Sequence, residues 1–134
     1  MKSSLTACIW AGALTIAAPA FAQDVDALFQ EVSRTTQEQL LITYICKDDL
    51  GSSWYQAART MAEGTMQQFG MTPDEAVLQA QEYEDRIKSM LAAQGNPVSQ
   101  MSGMDKTNFC LDGVNSANNA ARVAAARARE ALAQ

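Results

Sequence analysis

The chain contains no histidine in its 134 residues. That removes the commonest general base, every histidine-based triad and every histidine-ligated zinc site. Glycine is sparse: the seven glycines are isolated, and neither a P-loop nor a G-x-G-x-x-G turn can be assembled from them. Basic residues are outnumbered ten to fifteen, giving a formal net charge of −5. An acidic surface cannot neutralise phosphates, which argues against a nucleic-acid partner. Strand-like alternation and internal repeats are also lacking. The length suits one domain and excludes a TIM barrel or a two-domain dinucleotide enzyme.

The first 22 residues have the layout of an export signal. Lys2 is the positive start, Leu5 to Ala18 an apolar run broken by Pro19, and Ala20-Phe21-Ala22 an A-x-A cleavage site. The apolar run is short for a membrane span. Leu5-Thr6-Ala7-Cys8 has the look of a lipoprotein signal, but the apolar run follows Cys8 instead of preceding it. The expectation is a soluble mature chain from Gln23, in a Gram-negative periplasm, with no stable membrane insertion after cleavage. Its body, residues 23–112, carries a net −8, whereas residues 113–134 carry a net +2.

Cys46 and Cys110 remain after cleavage. An even pair without C-x-x-C spacing, in an oxidising compartment, reads as one structural disulfide. Closing a loop of roughly 65 residues restricts the unfolded chain by about 4 kcal/mol on the entropy model.

Apolar periodicity predicts an all-α fold, a small four-helix bundle. The first helix is expected over 24–47, with Val25, Leu28, Phe29 and Val32 and then Leu40, Leu41, Tyr44 and Ile45 as its stripe. Asp48, Asp49 and Gly51 mark its stop. The second is expected to start from Ser52 or Ser53 as N-cap and reach Phe69. Its expected buried stripe is Trp54, Ala57, Ala58, Met61, Ala62, Thr65 and Phe69, with Gly64 permitting close approach. Gly70 suits a left-handed C′ position. Thr72-Pro73-Asp74-Glu75 combines an N-cap, a proline at N1 and a capping-box glutamate, so the third helix begins there. Its inner face is expected to be Ala76, Val77, Ala80, Tyr83, Ile87 and Leu91, with Glu82, Glu84, Asp85, Arg86 and Lys88 outward. Gly95-Asn96-Pro97 ends it, and residues 95–104 form a loop. The fourth helix is expected over 105–132, fragile around Gly113 and the asparagines of 115–119, with residues 113–134 as its Ala/Arg-rich continuation.

The chemistry on offer is thin. Glu63 with Glu82 or Glu84 is a conceivable acid/base pair, but each also fits a solvated helix face. Glu82, Glu84 and Asp85 lack the calcium-loop spacing. Met101-Ser102-Gly103-Met104 resembles a copper(I) thioether pair, without a histidine or free cysteine beside it. The expectation is no enzyme, no metal and no cofactor, and recognition of a protein partner by an apolar groove. Trp54, Met61 and Met66 are the candidate partner-binding residues, near the disulfide corner between the second and third helices.

Leu40-Leu41-Ile42-Thr43-Tyr44-Ile45-Cys46, Asp48-Asp49-Leu50, Phe69-Gly70, Tyr83 and Asn108-Phe109-Cys110 together resemble the PulS/OutS pilotins of type II secretion, over residues 30–112. The resemblance implies a four-helix, single-disulfide periplasmic protein that binds a short helix at the C-terminus of the outer-membrane secretin. Cys46-Lys47-Asp48-Asp49-Leu50 with Ala62-Glu63-Gly64 is also similar to the first cysteine region of periplasmic acid-stress chaperones of the HdeA type. Protonation of fifteen carboxylates would leave such a chain strongly positive.

Overall fold

The computed structural model describes the backbone from Ala7 and side chains from Asp24. The expected leader, 1–22, with its cleavage site and Cys8, lies outside the residues described at side-chain level. The order is α1 (Ala7–Ile45), α2 (Lys47–Leu50), α3 (Ser52–Gln68), α4 (Pro73–Gln94) and α5 (Gly103–Ala133). Three of the four long helices lie close to the spans expected from the periodicity, and the first differs at its start: it was expected from 24, whereas α1 begins at Ala7. α2 is an additional single turn that was expected only as a stop, and no strand occurs among the described residues.

α1 is the central element, and every other helix packs on it. Contacts between rings and small clusters fix the directions. Tyr44 meets Tyr55 edge-on at 5.2 Å, and Phe29 meets Phe69 at 5.4 Å, so α3 runs antiparallel to α1. Cys46 bonds Cys110 at one end, while Val32 packs on Ala124 and Ala128 at the other, so α5 is antiparallel too. Ile87 packs on Leu40 and Leu91 on Ile45, which sets α4 parallel to α1.

The start and stop chemistry of the sequence is largely realised. Thr72 Oγ1 accepts from the Glu75 N–H at 3.2 Å, and the Glu75 carboxylate accepts from the Thr72 N–H at 2.8 Å. Gly70 has φ +104°, the left-handed geometry expected of a helix stop. The N-terminus of α3 differs from expectation. Its cap is Gly51 at φ +99°, with no side-chain hydrogen bond, because the α2 turn swings the chain directly into α3.

The buried stripe of α3 is Tyr55, Ala58 and Ala62, rotated about one residue from the expected stripe. Trp54, Ala57 and Met61 are exposed as a result. The tyrosine phenol, with a polar partner on α4, wins the inward place over the larger indole. On α4, Ala76, Ala80 and Ile87 are buried as expected, but Val77 is 45% exposed. Glu84 points inward instead of outward, because Tyr55, Arg59 and Lys88 all donate to it.

α5 is continuous through the stretch expected to be fragile. A Cβ on Gly113 would lie 3.0 Å from Ile42 Cδ1, so this glycine marks a close approach of α5 to α1. Asn118 Oδ1 accepts from Gln39 Nε2 at 2.8 Å. Thr35 and Thr43, also buried on α1, are satisfied locally instead, by donating back to carbonyls one turn earlier. Gly64 was expected to permit close approach, yet nothing lies within 4 Å of a Cβ placed there.

Cys46 and Cys110 are both fully buried and disulfide-bonded, with Cα atoms 5.7 Å apart. The loop after α4 seals them. Asn96 Nδ2 donates to the Ile45 carbonyl at 3.1 Å, and Val98 and Met101 cover the sulfurs.

Candidate functional site: an open trough along α1

α3, α4 and α5 surround α1 incompletely. α4 packs on α1 and α3, α5 packs on α1, and α4 and α5 share no packed face among the described residues. Between α4 and α5 the outer side of α1 therefore forms the floor of an open trough. Its part against α4 is a groove of about 500 Å³, walled by Tyr83, Arg86, Ile87 and Met90. Its part against α5 is a groove of about 330 Å³, walled by Gly113, Ser116, Ala117 and Ala120. Glu38 and Leu41 belong to both, so the two grooves meet across α1.

Each wall follows from its helix. Leu41, Ile42 and Ile45 belong to the apolar stripe of α1, where it turns from Leu40 towards the outside. Tyr83, Ile87 and Met90 recur at i, i+4, i+7 on α4, so one face of that helix supplies the apolar wall. On α5 the small residues Gly113, Ala117 and Ala120 keep the opposite wall low. Leu41 and Ile42 are each only half-buried.

Charge sits at one end of the floor. Arg34 forms ion pairs with Glu31 and Glu38, each at 2.6 Å. The hydrogen bond from Arg34 holds the Glu31 carboxyl below the ordinary glutamate range, and both carboxylates raise the guanidinium further above its already high range. These groups are exposed and screened, so their effect on stability is small. Arg86 lies over the Tyr83 ring at 4.8 Å. The trough thus has an apolar floor at the disulfide end and a charged rim at the other. This suits the capture of an amphipathic element.

The three residues singled out from the sequence are not gathered in one place. Trp54, 36% exposed, stands at the first turn of α3. Met61 lies seven residues on, along the same face, in a second groove between α3 and α5. Met66 turns to the other side of α3, where it packs against the cluster of Leu40, Tyr55 and Ile87 and lines a groove with Phe29, Val32 and Phe69. The expected residues are therefore divided between two places: Met66 lines a small groove of about 200 Å³ where α3 and α4 meet α1, and Met61 lines the groove between α3 and α5.

The other candidate chemistries are placed as follows. Glu63 and Glu84 both bind the Arg59 guanidinium, at 3.1 and 2.7 Å, while Glu82 is exposed. Met101 packs on the disulfide cluster, whereas Met104 is 79% exposed. Among the described residues no group of three or more carboxylates and cysteines could hold a metal ion. No described helix is long and apolar enough to cross a membrane.

The trough was hidden in the sequence by its own regularity. Leu41, Tyr83 and Ile87 lie in stripes that read as core, and a stripe does not say whether its cover is part of the same chain. The gap between α4 and α5 is a property of the assembled helices.

No protein-family model, curated protein or solved structure matches the chain.

Proposed function

We propose that the protein is a non-enzymatic adaptor that binds a helical segment of a protein partner in the trough between α4 and α5. The observation that carries this reading is the open floor of α1, with Leu41 and Ile42 half-buried between two helices that share no packed face among the described residues. A fourth helix laid there would complete the packing around α1 with anchors spaced i, i+3, i+4, i+7. The low alanine wall of α5 admits close approach, and Tyr83, Ile87 and Met90 offer a deformable apolar wall. The pilotin-like role in a periplasm is the specific form of this reading, with a secretin C-terminal helix as partner.

Met90→Glu and Ala117→Arg test it. Both residues are only half-buried and line the trough, so the fold should tolerate the changes. Each is expected to weaken partner binding by about tenfold or more, with a melting temperature close to the parent. Binding lost only in proportion to unfolding would reject the site.

Acid-triggered opening, as in an acid-stress chaperone, is the second reading. It is favoured by the Glu84 carboxylate of α4, which accepts from Tyr55 and Arg59 of α3 and from Lys88 of its own helix.

A further inference from the structure

The second groove, between α3 and α5, differs from the trough in its charge. Most cations of the body are engaged. Arg34, Arg59 and Lys88 are in ion pairs, and Lys47 and Arg86 lie over aromatic rings. Arg122 and Arg129 line this groove and are in no ion pair among the described residues. Arg129 Nη1 donates to Gln68 Oε1 at 2.7 Å, so a neutral amide is its partner across the groove. Both stand on the tail with its net +2, and together they give one rim of the groove two cations with no carboxylate partner among the described residues.

Their spacing is regular. Seven residues apart on one helix, Arg122 and Arg129 project from the same side about 10.5 Å apart along the axis. Between them the groove, of about 560 Å³, is walled by Met61 and Ala125. Met61 is 42% exposed, and the groove lies on the side of α1 opposite Leu41, since Gln39 forms its floor.

We infer that the α3–α5 groove is a second docking site, for an acidic amphipathic helix whose carboxylates, seven residues apart, sit on Arg122 and Arg129. Two helical turns separate both the arginines and the carboxylates, so both pairs form in one register. The partner's apolar side chains lie on Met61 and Val123, which are both exposed. A lipid chain fits less well, because Gln39 and its bond to Asn118 place buried polar groups at the floor that an acyl chain would leave dry. The site stands independently of the trough: it uses other residues on the far side of α1, and an adaptor with two opposed docking faces can bridge two partners.

The test uses the full mature chain and 14-residue stapled helical peptides with a leucine stripe. The peptides carry two glutamates seven apart, two glutamines, or two lysines at the same positions. Binding is read by NMR at the Met61 methyl and the Ala125 methyl. The glutamate peptide is expected to perturb both methyls and bind about tenfold tighter than the glutamine peptide at low salt, with the lysine peptide weakest. Arg122→Gln with Arg129→Gln, both at exposed positions, should keep the parent melting temperature and remove the preference. Equal binding of the glutamate and glutamine peptides would overturn the inference. So would perturbation confined to methyls outside the groove, or binding to phosphatidylglycerol vesicles without binding to any peptide.

Discussion

Glu84 is the residue on which most depends. Its carboxylate accepts from the Tyr55 hydroxyl at 3.0 Å and pairs with Arg59 at 2.7 Å and Lys88 at 2.9 Å. Burial pushes its pKa up, but the bonds from Lys88 and Tyr55 and the charges of Lys88 and Arg59 outweigh burial and hold it below the ordinary value of 4.5. Burial and the bond to Glu84 push the Tyr55 phenol above its ordinary range in turn. A carboxyl lowered on folding contributes stability that is present above its unfolded pKa and is lost as pH falls through the folded one. Glu84→Gln should therefore cost about 1–2 kcal/mol near pH 7. The gap from the parent should close as the pH drops below 4.5, and urea denaturation at several pH values measures it. A gap independent of pH would show that the charge is immaterial. Trp54 belongs at this scale as well. Being 36% exposed, it is expected to cost about 1 kcal/mol or less on Trp54→Ala, far from the 3–5 kcal/mol of a buried aromatic, as judged by the same denaturation curves.

Helix α5 shows what an element gains from small residues. Its alanines at 124, 125 and 128 are all buried, and they bring it close against Val32, Leu28 and Phe69. The sequence announced a strong helix here but gave it too little bulk to specify a docking face, because alanine stripes carry almost no amphipathic contrast. The two helical glycines illustrate the same limit from the other direction. Both interrupt helix-forming stretches, and only the assembled neighbours distinguish them: Gly113 faces Ile42 at close range, and Gly64 faces nothing. Gly64→Ala should therefore stabilise by about 0.5–1 kcal/mol, while Gly113→Ala should yield less, since Ile42 must move; paired thermal melts compare them. The caps at Thr72 and Gly70 were legible because each depends on three or four adjacent residues. The rotation of α3 that exposes Trp54 was not, since it turns on Tyr55 finding Glu84 on another helix. Of the candidate site, the apolar residues were legible as stripes, but their lack of a cover was not. The clasp between α1 and α5 was legible from two cysteines. Replacing both Cys46 and Cys110 by serine should cost about 4 kcal/mol, measured by chemical denaturation; an unchanged midpoint would mean the clasp is redundant.

The molecule as a whole is a bundle with one long face of its central helix left open. A chain of this size buries only part of its surface, and the half-buried Leu41, Ile42, Tyr83 and Met90 leave part of their apolar surface open in the trough. On the proposed reading, the acidic body, at net −8, would favour encounter with a basic partner, and the trough would select a helix by its apolar spacing. Site-specific photocrosslinking in cells tests this most directly. A benzoylphenylalanine is placed at Met90 or Ala117 in the trough, and at Leu78, which is 66% exposed, outside it. The account predicts one partner, crosslinked from both trough positions and not from position 78. The adduct should map by mass spectrometry to a segment with apolar residues at i, i+3, i+4 and i+7. Equal crosslinking from all three positions, no adduct from the trough, or an adduct on a non-helical segment would contradict it.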